Sequence, residues 1–153
     1  MESLNPRVRI VWVVAAATTA LVLGGVLVAV DAFLVDIGGW VGPLVFGLVV
    51  AVGGVFAVLR YRIWGFELRD DSLFISRGVL TRVRTVVPFV RVQHVDTQRG
   101  PVERVVGLSS VVVYTAGSRG ADVTIPGLTP ERADALQERL RRLAIESEAE
   151  DAV

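Results

Sequence analysis

The sequence predicts a membrane-embedded helical hairpin followed by a small α+β barrel of two antiparallel sheets capped by a C-terminal helix. Three observations carry this. Two long uncharged runs, residues 10–30 and 37–59, stand near the start, parted by a segment holding Asp31 and Asp36. From Trp64 onward apolar residues recur at every second position, and from Thr129 onward at every third or fourth. The runs have the length of spanning helices, since about 20 apolar residues cross a hydrocarbon core. Period two is the mark of strands, and the longer period that of an amphipathic helix.

Composition bounds the rest. In 153 residues there is room for the hairpin and one small domain. The apolar fraction is 52% and mean hydropathy is +0.56, above that of an ordinary soluble domain because of the two runs. Net charge is zero, so no global pull toward nucleic acid is expected. All 16 basic residues are arginine, which the codon bias of a GC-rich genome explains without any functional reason. Cysteine is absent, which excludes disulfides, thiolate metal sites and thiol nucleophiles. No metal or other cofactor is expected.

The first run is too long for a signal-peptide core and lacks a clean small-x-small cleavage site before the acidic turn, so it reads as a retained helix. Orientation follows from the flanks. Arg7 and Arg9 precede the first helix, Arg60 and Arg62 follow the second, and the connecting loop carries only Asp31 and Asp36. Arginine excess marks the cytoplasmic side, so both termini are expected there, with residues 1–9 as a cytoplasmic N-terminus. Trp12 and the pair Tyr61 and Trp64 suit the inner interface, and Trp40 the outer one.

Set antiparallel with level ends, the helices place residues whose numbers sum to about 70 at equal depth. Ala17, Ala20 and Gly24 then face Gly54, Ala51 and Gly47, two small faces of the kind that lets backbones approach in lipid. Chance is the competing reading, because Ala and Gly are common in both runs. Gly38-x-x-x-Gly42 fits a dimer motif but begins in the loop. Neither run contains an ionisable residue, which disfavours an ion or proton pathway through a monomer.

The domain is expected over residues 60–145. Residues 60–65 form a short linker with little slack. Trp64, Phe66 and Leu68 alternate with polar neighbours up to Asp70-Asp71, a turn signal. Leu73 and Ile75 mark a second strand, ending at Arg77-Gly78. Residues 79–88 mark a third, with Arg82 and Arg84 on one face and Pro88 at its end. The fourth, residues 90–97, slips its period at His94-Val95, as a bulge would. Pro101–Val106 is open between helix and strand. Residues 108–116 are rich in β-branched side chains, residues 117–120 turn the chain, and Val123 and Ile125 lie in a last strand.

Thr129 is a natural N-cap with Pro130 at the first helical position. Ala133, Leu136, Leu140 and Leu143 then line one helix face, which must cover the sheets. Residues 146–153, with Glu146, Glu148, Glu150 and Asp151, read as a frayed acidic tail.

Short words in this region carry a family resemblance. The segments Ser76-Arg-Gly-Val-Leu80, Val87-Pro88, Val92-Gln-His-Val95, Gln98-Arg-Gly-Pro101, Arg104-Val-Val-Gly-Leu108 and Tyr114-Thr-Ala-Gly117 are similar to the bacterial pleckstrin-homology (PH) domain family, the YdbS-like membrane proteins. In that family a two-helix hairpin commonly precedes the domain. The resemblance implies a PH-like fold and no enzymatic activity. It also implies a seventh strand, to be sought at Pro101–Val106. Inositol-lipid binding does not carry over, because PH domains that bind phosphoinositides rely on basic residues around the first strand–turn–strand, and here that turn is the acidic Arg69-Asp70-Asp71-Ser72.

The candidate surface is the arginine set of the middle strands, Arg77, Arg82, Arg84, Arg91, Arg99 and Arg104, opposed only by Asp96 and Glu103. Beside an anionic leaflet each exposed arginine contributes roughly 1 kcal/mol of attraction; the plainer reading is a solvated sheet face. His94, Asp96 and Ser109 or Ser110 could be imagined as a hydrolase set, but no nucleophile elbow or oxyanion loop accompanies them. Gly117-Ser-Arg-Gly120 reads as a turn, not a phosphate cradle. The expected function is therefore a non-enzymatic interaction or scaffolding module at the inner leaflet of the cell membrane. Its expected partners are the bilayer, anionic lipid headgroups, and other membrane proteins or a second copy. An accessory subunit of a larger membrane complex or transporter is the alternative.

Overall fold

The structure, a computed structural model, describes residues 1–117 and 122–151, with side chains through Ala149. Two long helices, α1 (Val8–Phe33) and α2 (Val41–Ile63), form the hairpin. Both continue past the uncharged runs into flanking charged residues, α1 through Arg9 and Asp31 and α2 through Arg60 and Arg62. Only Val8, Ala20 and Gly24 of α1, and Gly42 and Ala57 of α2, are buried. Helices so apolar and so uncovered belong in lipid, unlike the core helix of a soluble protein. The loop between them is tied by its two acids: the Ile37 N–H donates to Asp31 Oδ1 at 2.8 Å and the Gly38 N–H to Asp36 Oδ1 at 3.2 Å.

Small residues let the helices touch, at the depths the level pairing gives. A Cβ on Gly24 would lie 3.3 Å from both the Gly42 carbonyl oxygen and the Phe46 Cβ, and one on Gly42 would meet Val28 at 2.5 Å. Lower down, Gly53 lies against Ala16. Ala20 is fully buried and Ala17 half-buried. The row on α2 is therefore Gly42, Gly53 and Ala57. Gly47 and Gly54 have open space around them, and Ala51 is exposed. Residue numbers set depth but not rotation about the helix axis, and α2 carries small residues on two adjacent rows. Gly42 is taken up inside the hairpin and Gly38 sits in the loop, so the two do not share a face.

The domain begins before the hairpin. Strand β1 (Glu2–Ser3) pairs antiparallel with β2 (Gly65–Leu68), so two neighbouring strands are joined through the entire membrane hairpin. Strands β3 (Ser72–Arg77) and β4 (Val83–Pro88) complete a sheet of order β1-β2-β3-β4. A second sheet, β5-β6-β7, holds Val92–Gln98, Ser109–Thr115 and Val123–Leu128. The seventh strand is thus β1, while Pro101–Val106 is a short helix, α3, closed by Gly107 at φ 71°. The Glu103 carboxylate caps α3 by accepting the Gly100 N–H at 2.7 Å. A register shift between Val92 and His94 accounts for the slip in period there. Of the predicted 117–120 turn, residues 118–120 lie outside the described residues.

Residues 1–9 are accordingly not a separate tail. Leu4 and Val8 are each 2% exposed and join a core formed with Trp64, Phe66, Ile75, Val111, Ile125 and Leu128. The Asn5 N–H donates to the Gly127 carbonyl at 2.8 Å. Gly127, at φ 66°, has Val8 so close that a Cβ would lie 2.6 Å from the Val8 Cβ. A two-residue strand is too short to read from period, and its partner is more than sixty positions away. There is also no linker after α2, since Trp64 directly follows the helix and β2 starts at Gly65. Trp64 is 4% exposed, a core residue and not part of an interfacial belt.

The C-terminal helix α4 (Pro130–Asp151) buries Ala133, Leu136 and Leu140 against the sheets. Gln137 Nε2 donates to the Val95 carbonyl at 2.7 Å, occupying part of the β5 edge. The acidic segment does not fray within the described residues: the helix continues through Glu146 and Glu148 to Asp151. Glu and Ala are strong helix formers, and Glu138 lies within 3.9 Å of Arg141 and Arg142 one turn on.

Candidate functional site: a basic cleft at the foot of the hairpin

Alternation in the first sheet sorts its side chains into two faces. The register places Phe66 beside Ile75, and Leu68 beside Leu73 and Val87, on the core side. Glu67, Phe74 and Val86 pair across the outer side, as do Ser76 and Arg84. On that outer face, where α2 meets the sheet, lies a cleft of about 460 Å³ lined by Arg62, Ile63, Glu67, Arg69, Arg82 and Arg84 among others. Four arginines face one carboxylate.

That carboxylate is already engaged, because Arg69 Nε lies 3.7 Å from Glu67 Oε2. Arg69 also lies over the Phe74 ring, with its Cζ 4.2 Å from the ring centroid. Arg62, Arg82 and Arg84 have no acidic partner within 4.0 Å among the described residues. Such an arrangement can receive an anion.

The six arginines of the middle strands do not form one surface. Arg82 and Arg84 line the cleft together. Arg77 is half-buried at the end of β3, where its charge opposes that of Arg60 on α2. Arg91 lies in the 3-10 turn Phe89–Arg91, and its carbonyl accepts the Ala116 N–H. Arg99 Nε donates to the Leu108 carbonyl at 3.2 Å, and Arg104 is exposed on α3. Arg62 and Arg69 are the cleft residues that sequence reasoning missed. They flank the hairpin end and a turn, and only the strand register brings them beside Arg82 and Arg84.

Two further arginines brace the hairpin at this level. Arg60 lies over the Trp12 ring at 4.4 Å and Arg9 over the Tyr61 ring at 5.0 Å, each crossing from one helix to the other. Cation–π contacts of this kind contribute about 0.5–2 kcal/mol each.

The imagined hydrolase set is not assembled. His94 is 67% exposed and pairs with Asp96, Nε2 to Oδ1 at 2.7 Å. Across the ladder His94 faces Tyr114, whereas Ser110 faces Gln98, four pairs further down. The Ser110 hydroxyl donates to Glu103 Oε1 at 2.9 Å. Among the described residues no cluster of three or more His, Asp or Glu could hold a metal ion.

The model of the bacterial PH domain matches residues 10–144, taking in the hairpin as well as both sheets. The chain belongs to the bacterial PH-domain family. It is also similar to the transmembrane protein YdbS of Bacillus subtilis (strain 168), with 35% identity over 105 residues. That match covers 65% of this chain and 64% of the relative, a little under two thirds of its length. No solved structure matches the chain. Two antiparallel sheets closed by a C-terminal helix agree with the PH-like fold, and the two apolar helices make this bacterial PH-domain protein a transmembrane one. The strand order places the acidic turn later in the sheet than the sequence alone suggests. The first connection of the sheet, β1 to β2, is the membrane hairpin, and Asp70-Asp71 lies in the second.

Proposed function

We propose that this protein is a non-enzymatic interaction module at the inner leaflet of the cell membrane, with both chain ends in the cytoplasm, and that its basic cleft engages anionic lipid headgroups. The cleft itself carries the reading: Arg62, Arg82 and Arg84 converge at the foot of α2, where headgroups lie. Anionic lipids attract basic groups within a Debye length of the surface, about 8–10 Å. Orientation is supported by Arg7, Arg9, Arg60 and Arg62 at one end of the hairpin and only Asp31 and Asp36 at the other. The separation of His94 from Ser110 supports a role without catalysis.

A second reading, an accessory subunit of a larger membrane complex or transporter, is favoured by the row Gly47, Ala51 and Gly54, which α1 leaves uncovered. Photo-crosslinking in intact cells separates the two. A photoreactive residue at Val86, on the outer face beside the cleft and 54% exposed, is expected to yield phospholipid adducts. Protein adducts from Ala51 with none to lipid from Val86 would favour the subunit. No adduct from either position would overturn both readings.

A further inference from the structure

We infer that the β3–β4 turn is a membrane-seating element, which inserts Leu80 among the lipid acyl chains while Arg82 and Arg84 hold anionic headgroups beside it. The inference rests on the inner-leaflet reading above and adds to it a depth, a residue and a lipid dependence.

The argument begins with direction. Gly65, the first residue of β2, follows α2 almost at once, and it pairs with Ser3 of β1, five residues before the start of α1 at Val8. The Gly65 end of the sheet is thus its membrane end. Gly65 pairs with Ser76 and Ser76 with Arg84, so β3 returns to that end and β4 leaves from it. Beyond Ser76 the ladder has one more pair, Arg77 with Val83, and the chain turns through residues 78–82. A strand advances about 3.3 Å per residue, so the turn projects past Gly65 toward the end from which α2 arrives. The cleft agrees, since Arg82 and Arg84 share it with Arg62 and Ile63 at the end of α2.

The chemistry of the turn fits that position. Gly78 has φ 100° and the Thr81 carbonyl oxygen crowds the place of a Cβ, so this tight turn requires glycine. Leu80 is held at its tip, 86% exposed, one of the most exposed large apolar residues of the domain. Arginines stand on both sides, at 77, 82 and 84. An apolar tip within a ring of cations suits an anionic bilayer surface better than water. The opposite end of the sheet, the β2–β3 turn, carries Asp70 and Asp71, both exposed. Asp70 and Asp71 are thus kept at the end away from the bilayer, and Arg77, Arg82 and Arg84 stand at the near end.

The chain has no cysteine, so the full-length protein can report depth from a single Leu80→Cys carrying an environment-sensitive fluorophore. It is reconstituted in nanodiscs of phosphatidylcholine alone and of phosphatidylcholine with phosphatidylglycerol. An Asp70→Cys label serves as the aqueous reference, and Trp64 emission, read with Trp12 and Trp40 replaced by phenylalanine, verifies folding. At position 80 we expect blue-shifted emission, quenching by spin-labelled lipid, and iodide quenching several-fold weaker than at position 70. Phosphatidylglycerol should deepen the label, and Arg82→Gln with Arg84→Gln should abolish that deepening without moving Trp64 emission. Equal iodide quenching at 80 and 70 in both lipid mixtures would overturn the inference. Lipid adducts from Val86 alongside that result would leave the inner-leaflet reading standing; their absence would remove it as well.

Discussion

Leu4→Ala tests whether the segment before the hairpin belongs to the domain. As part of a cytoplasmic tail, Leu4 could be truncated without effect, because surface substitutions usually change stability by no more than about 0.5 kcal/mol. In the structure it is 2% exposed and lies in the common core with Trp64, Phe66 and Leu128. Truncation removes three buried carbons at about 0.8 kcal/mol each, or roughly 2.4 kcal/mol. The cavity left behind raises the total to about 3–4 kcal/mol, within the range for leucine-to-alanine core substitutions. For a domain of this size about 1 kcal/mol moves Tm by about 4–8 °C, so a fall of about 12 °C or more is expected. The assay is urea and thermal unfolding of the full-length protein in micelles, followed by Trp64 fluorescence with Trp12 and Trp40 replaced by phenylalanine. Glu2→Ala serves as the control. Its carboxylate meets Arg132 at 2.8 Å, but both side chains are largely exposed, so its loss costs at most about 1 kcal/mol. If Leu4→Ala unfolds at the same urea concentration as the parent, the reasoning that β1 completes the domain is wrong.

Three other expectations can be checked directly. Gly53→Val should weaken the hairpin by about 1–3 kcal/mol in a detergent-denaturation titration, since any Cβ there collides with Ala16, whereas Gly54→Val opens onto free space and should cost less than about 1 kcal/mol. Glu103→Ala should destabilise the domain by about 1–3 kcal/mol in the same urea assay, because it releases the Gly100 N–H and the Ser110 hydroxyl together; Glu103→Gln should recover part of this. In right-side-out vesicles a membrane-impermeant maleimide should label Asp36→Cys and leave Glu148→Cys unlabelled until the membrane is opened; the reverse pattern would invert the proposed topology.

Much of the fold was legible because its signals are local. The hairpin follows from uncharged length, the Arg82–Arg84 pair from period two, and the start of α4 from Thr129 and Pro130, with the Arg132 N–H donating to Thr129 Oγ1 at 3.4 Å. What could not be read depends on partners far along the chain. β1 has two residues, no period of its own, and a partner strand beyond the hairpin. Arg62 joins the cleft only because Gly65 pairs with Ser76 and Ser76 with Arg84. The packing row on α2 was set by rotation, which residue spacing leaves free when two rows both contain glycine. Trp64 looked interfacial from its position, yet the absence of a linker draws it into the core.

The misreadings of β1, Arg62 and Trp64 share one cause, and it bears on how the protein works. The hairpin is not a tether attached to one end of a finished domain. It is the connection between two adjacent strands of one sheet, and Val8, its first helical residue, packs on Gly127 of the last strand. Arg9 on Tyr61 and Arg60 on Trp12 then cross-brace the helices where they leave the bilayer. A domain hung from a single flexible linker could sample many orientations over the membrane. This one is held at two neighbouring points of the same sheet edge, so the face it turns to the lipid is set by the fold. On the reading proposed above, a basic cleft placed at that edge would need no separate search to meet headgroups, and its few arginines would act at a high effective concentration of ligand. That geometry gathers Arg62, Arg82 and Arg84 at one place in a chain with no net charge, while the one carboxylate beside them, Glu67, is taken up by Arg69.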